Sequence, residues 1–163
     1  MLGTKFYKNE LETQEQLDAY SSVAEWCNNI HALIDDKGEY YEVVEIPAPT
    51  LAEVKADKLA ELKDIRDAKE VADIQVNGYL YDYDEKARER INAAIIALDL
   101  TGGTITWTLA DNTDKEVSAN DLRYVIAMVA QRSNVLHTQY RTLKERVESA
   151  TTKEQVEAIV WDE

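Results

Sequence analysis

Two histidines and one cysteine are the residues of this chain best suited to nucleophilic or metal chemistry, and their spacing poses the first question. Cys27 and His31 stand four apart, so on an unbroken helix they would share a face and supply a thiol–imidazole dyad or half a metal site. The helical pattern is expected to end between them, and no other Cys or His is near. Cys27 therefore reads as a buried small hydrophobe and His31 as incidental. His137 stands alone and reads as a helix-flank residue. Acids gather at Asp82, Asp84 and Glu85 and again at Asp111, Asn112 and Asp114, but neither group has the alternate-position ligands, glycine and distant glutamate of a calcium loop. Helix caps and Asx turns account for the same residues. The sequence has no glycine-rich phosphate loop, no Gly-x-Ser-x-Gly elbow and no zinc-ligand spacing. The expectation is a protein without catalytic residues, metal or cofactor. A glycosidase-type carboxylate pair is the enzyme alternative.

Aromatic residues point elsewhere. Tyr40, Tyr41, Tyr79, Tyr81 and Tyr83 all fall in predicted hairpins, and Trp107 lies on an alternating strand. Tyrosine serves both cores and interfaces, and alternation puts Tyr79, Tyr81 and Tyr83 on one face. Half-buried strand packing is the plain reading of these six residues, and a protein-binding face is the sharper one.

The elements that would position them follow from pattern. The chain has 163 residues, 45% hydrophobic, which is enough apolar material to fold one domain or two small ones. Its net charge of −14 makes nucleic acid and anionic membranes unfavourable partners. One cysteine excludes an internal disulfide, which suits a reducing cytoplasm. The opening residues turn polar too soon for a signal peptide, and no apolar run is long enough to span a bilayer.

Residues 1–49 hold three Lys and ten acids, and both prolines, Pro47 and Pro49, stand where that stretch ends. A module boundary is read there. The first module is expected to run strand (about Lys5–Lys8), helix (Gln14–Asn28, with Leu17, Tyr20, Ala24 and Cys27 inward) and hairpin (Ala32–Asp35 and Glu39–Ile46). Residues 50–72, opened by the N-cap Thr50, read as a long solvated helix connecting two modules, with an oligomer seam as the weighed alternative.

Residues 73–163 form the second module. Ile74–Val76 and Tyr79–Tyr81 flank Asn77-Gly78, the strongest short hairpin signal. Asp84 caps a helix to about Leu100 with Ala87, Ile91, Ala94, Ile95 and Leu98 inward. Thr104–Leu109 and Lys115–Val117 pair around a turn containing Asp111 and Asn112. Ser118 opens a long helix whose Leu122, Val125, Val129, Leu136, Tyr140, Leu143 and Val147 are core. A short helix follows Thr152. The class is α+β: strand–helix–hairpin, then hairpin–helix–hairpin–long helix–short helix, joined by a long helix.

One resemblance adds to this. Asn77-Gly78-Tyr79 leading through Asp82 and Asp84 to Ile91, then Trp107 with Ala110-Asp111-Asn112, Val117-Ser118 with Leu122, and Leu143-Lys144 leading to Ala150-Thr151-Thr152 and Ile159 come in a characteristic order. The stretch Ile74–Ile159 resembles an uncharacterised domain family of tailed phages and prophages, found at or beside tail-fibre proteins and their small assembly partners. Pro49–Lys55 is similar to the segment that precedes such domains, and residues 1–46 look like a variable leader. No glycine-rich repetitive sequence precedes the domain, so an accessory is expected and not a fibre. The resemblance implies a tail-fibre assembly chaperone or adaptor that binds a fibre or baseplate protein, working in the bacterial cytoplasm or retained on the virion tail. The alternatives are a structural tail component and a phage-encoded inhibitor of a host defence protein.

Overall fold

In the computed structural model, which describes residues 1–30 and 32–162, strands and helices alternate along the chain in an α+β arrangement. Contacts divide it into two compact units, Met1–Pro49 and Thr50–Glu163.

The first unit packs one helix on one face of a three-stranded antiparallel sheet. Strand β1 (Lys5–Tyr7) leads through a short 3-10 turn to helix α1 (Gln14–Ile30), and β2 (Ala32–Asp36) and β3 (Tyr40–Glu45) form the hairpin. The spatial order is β1-β3-β2, so β3 is central. Thr13 and Gln16 close the start of α1 reciprocally: the Gln16 N–H donates to Thr13 Oγ1 (3.3 Å), and Gln16 Oε1 accepts from the Thr13 N–H (3.0 Å). Asp36 Oδ1 accepts from the Gly38 N–H (2.8 Å), and Gly38 takes the positive φ that this turn requires.

The small core is Val23, Cys27, Ala32 and Val43, with Phe6, Trp26 and Ile34 against it. Leu17, expected inward, is 43% exposed. Val23 takes its place, because the helix stripe is aimed by where Val43 lies and not by the largest side chains of the first turn. Helix α1 runs past Cys27 and ends at Ile30, between positions 27 and 31 as expected, and the expectation for His31 itself falls outside the described residues.

The second unit begins with helix α2 (Leu51–Glu70), followed by hairpin β4 (Ile74–Val76) and β5 (Tyr79–Tyr81), then helix α3 (Glu85–Thr101). Hairpin β6 (Ile105–Thr108) and β7 (Asp114–Val117), the long helix α4 (Ala119–Ser149) and the short α5 (Lys153–Glu157) complete it. Asn77 and Gly78 both have positive φ, and the strands pair Ile74 with Tyr81 and Val76 with Tyr79. The two hairpins are tied by the Ala110 N–H, which donates to the Leu80 carbonyl (3.0 Å).

Helix α4 is about 46 Å long at 1.5 Å per residue and serves two cores. Leu122, Val125 and Val129 meet Ile74, Val76, Tyr81, Ile91, Leu98, Trp107, Leu109 and Val117. Leu143 and Val147 meet Leu62, Val156 and Ile159.

That second core corrects the reading of residues 50–72 as a solvated connector. Leu62 has no exposed surface, and Leu51, Val54 and Leu59 pack around the same cluster. Lys55 Nζ donates to the Glu148 carbonyl (2.8 Å), and Arg132 donates to the Glu70, Ala72 and Asp73 carbonyls at 2.8, 2.8 and 3.2 Å, holding the end of α2 on α4. The stripe on α2 is thin because its neighbours α4 and α5 supply most of the apolar surface.

Candidate protein-binding surfaces

Of the acidic residues singled out in the sequence, Asp84 and Asp111 serve the backbone, and Asp114 accepts from the Thr108 hydroxyl across the β6–β7 pair (2.9 Å). Asp84 accepts from the Ala87 N–H (2.7 Å) at the start of α3. Asp111 accepts from the N–H and hydroxyl of Thr113 (3.0 and 2.7 Å), and Asn112 takes φ 61° at the turn. Ser118 and Asp121 form a capping box in which the Ser118 hydroxyl and N–H hold the Asp121 carboxyl below the usual carboxylate range.

One polar cluster has the residue types of a hydrolase triad. Glu70 Oε1 accepts from the Ser133 hydroxyl (2.6 Å) and lies 2.9 Å from His137 Nε2. The carboxylate sits between serine and histidine, whereas nucleophile activation needs the imidazole between serine and carboxylate. Ser133 and His137 are one turn apart on α4, so Glu70 links α2 to α4 through both.

The six aromatic candidates separate. Tyr81 is 2% and Trp107 6% exposed, and both belong to the main core of the second unit, so neither is a surface contact. The reason is that α3 and α4 cover the hairpins on that side. Tyr83 lies beyond the end of β5 and packs partly against the same core. Tyr79 projects past the core at the turn end, 43% exposed, with Lys115 Nζ 3.6 Å from its ring centroid. The shared face expected for Tyr79, Tyr81 and Tyr83 is therefore not a surface.

Tyr40 and Tyr41 are adjacent on β3 and point to opposite sides. Tyr41 faces α1, its ring 5.5 Å from that of Tyr20, which in turn meets Phe6 edge-on at 5.3 Å. Tyr40 lies on the sheet face away from the helix. With it, by register, lie Lys5, Tyr7, Leu33, Asp35, Glu42 and Val44, none of them buried. The Tyr7 and Tyr40 rings are 5.4 Å apart, and Lys5 Nζ is 4.5 Å from the Tyr40 centroid and 3.9 Å from Glu42. The Tyr40 hydroxyl, and after it Glu42, raises the Lys5 ammonium above its ordinary value. Leu33 and Val44, paired across β2 and β3, continue the face as an aliphatic strip. This face carries two aromatic rings and two aliphatic side chains with a charged border, a composition suited to protein contact. Among the described residues, both outer strands, β1 and β2, have a free edge within the unit.

A second exposed apolar set lies on α3. Ile96 and Leu100 are 64% and 85% exposed, and Ala93 and Ala97 beside them are exposed too. The signal for it was present in the sequence: residues 93–98 are apolar without interruption, more than one core-facing stripe can use. Between β4 and α4, Ile74, Met128, Val135 and Leu136 line an open groove of about 330 Å³.

Among the described residues, no helix is long and apolar enough to cross a membrane. A family model described as Domain of unknown function (DUF4376) matches residues 53–160, nearly the whole second unit and more than half of the chain. No curated protein and no solved structure matches.

Proposed function

The chain belongs to the DUF4376 family, and from that premise we propose that it is a non-enzymatic assembly adaptor that grips a phage tail-fibre or baseplate subunit. The observation that carries the grip is the open face of the first unit, where Tyr7, Tyr40, Leu33 and Val44 are partly exposed on a sheet with free outer strands. The tail assignment is supported by the ordered motifs from Asn77 to Ile159, which lie within the span of the family match and resemble those of tail-associated domains.

A client whose unassembled form exposes strand edges or apolar surface would be covered by this face and released when its own subunits pair, because the helper binds the incomplete state better than the finished one. The first unit carries three Lys and ten acids, so a basic client patch is steered to it, and binding weakens as salt is added. Such a helper works in the bacterial cytoplasm while tails are built.

The test is co-expression with a candidate tail-fibre subunit. The fibre subunit is expected to be soluble and trimeric with the native chain and to aggregate with Tyr40→Asp or Leu33→Asp. Equal yield of trimer without the chain sinks the proposal. Mass spectrometry of purified particles separates a transient helper, absent from them, from a structural tail component.

A further inference from the structure

We propose that the outer edge of β4, with the groove between it and α4, binds an extended apolar segment of a partner protein, which adds to the β4–β5 hairpin as a third strand. Val76 and Tyr79 flank the two-residue turn and pair directly, as do Ile74 and Tyr81. In such a hairpin these pairs exchange their main-chain hydrogen bonds, and the residues between them, Gln75 and Leu80, turn their N–H and carbonyl groups outward. The Leu80 carbonyl accepts from the Ala110 N–H on its side. On the other side, the outward groups of Gln75 meet no further backbone group among the described residues. Two residues earlier, the Asp73 carbonyl accepts from Arg132 (3.2 Å), so α4 runs beside this edge. Beyond Arg132 the edge is open, and Gln75 lines the groove of about 330 Å³ together with Met128, Val135 and Leu136 of α4.

Main chain, side chains and charge agree on the occupant. An outward N–H and carbonyl on one strand residue are met together by the backbone of an extended polypeptide, as in strand addition at a sheet edge. Apolar side chains at alternate positions of that segment then fall on Met128 and on Val135, which is 58% exposed. No acid lines the groove, although the chain holds 32 of them, and its one charged residue is Arg132. That guanidinium is already faced by Glu70, Asp73 and the Tyr83 ring. The groove is therefore close to neutral, which suits an uncharged segment and makes binding almost indifferent to salt. Client binding at the first unit, by contrast, weakens as salt is added, and the two surfaces share no residue. The β4 edge also lies within residues 53–160, so it belongs to the family domain itself.

Selection of a random-peptide library on the immobilised full chain, followed by fluorescence anisotropy of the recovered synthetic peptides at low and high salt, tests it. Peptides with apolar residues at alternate positions are expected, with affinities that change little with salt. Gln75→Pro is the sharpest variant. Its ring removes the outward N–H, and Gln75 donates none of the hairpin's own bonds, so the melting temperature is kept while peptide affinity falls by on the order of tenfold or more. Gln75→Ala retains the N–H and should bind as the native chain does. Val135→Glu, at an exposed position, should cost a similar factor in affinity with an unchanged melting temperature. Failure to recover any peptide, peptides indifferent to Gln75→Pro or to Val135→Glu, or equal loss in Gln75→Ala overturns the proposal. So does a dimer of the chain alone that Gln75→Pro dissolves, since the edge would then belong to a second copy. None of these results alters the effect expected of Tyr40→Asp on client binding.

Discussion

At the scale of single residues, several charged groups of this protein hold backbone in place, among them Asp36, Asp84, Asp111 and Asp121, which accept from main-chain N–H groups. Asp121 illustrates how this shows in solution. Its carboxyl is kept below the usual range by the Ser118 hydroxyl and N–H, so the cap contributes stability at pH values above the ordinary carboxylate pKa and loses it as pH falls through the lowered value. The melting temperature of Asp121→Asn is expected to lie a few degrees below that of the native chain at neutral pH, with the gap closing in acid. Thermal melts across pH 2–7 read this directly, and a gap that persists at the acid end would assign the loss to something other than the ionised cap. Asp84, Asp111, Asn112 and Ser118 were legible as caps and turns because such roles depend on a few neighbouring residues. The roles of Tyr81 and Trp107 were not, because alternation assigns a side of a strand and says nothing of whether a helix lies over it.

At the scale of elements, the order of strands and helices was readable from period and punctuation, and one element changed its role. Helix α2 has apolar positions too sparse to suggest a packed helix, yet it closes the second core over the C-terminal half of α4. Leu62→Ala should therefore cost about 2–5 kcal/mol, as for other fully buried leucines. Denaturant titration of the full chain checks the value. A change below about 0.5 kcal/mol, the level of a surface substitution, would restore the solvated connector. The capping box at Thr50 and Glu53, with the Thr50 N–H donating to Glu53 at 2.6 Å, fixes where this helix starts whatever it packs against.

At the scale of the whole molecule, the two units have separate cores. Val23, Cys27, Ala32 and Val43 belong to one, and the clusters around Leu122 and Leu143 to the other. Two thermal transitions are expected. Val43→Ala should lower only one of them and Leu122→Ala only the other, since distant sites without shared partners act independently. Scanning calorimetry of the two variants measures this, and a single transition moved by both substitutions would show one cooperative structure. Among the described residues, the first unit has a core of four buried side chains, small for 49 residues, so its transition should be the lower of the two.

The sequence by itself determined the α+β class, the order of the elements, the Asn77-Gly78 turn, the helix starts at Thr50, Asp84, Ser118 and Thr152, and the inward stripes of α3 and α4. All of these follow from interactions within a few residues or from a repeat along one element. Only the tertiary structure decided that α2 is core, that Tyr81 and Trp107 are covered while Tyr40 is partly exposed, and that Ile96 and Leu100 lie exposed on α3. Those outcomes depend on which distant element comes to lie over a given face, and no local spacing records that.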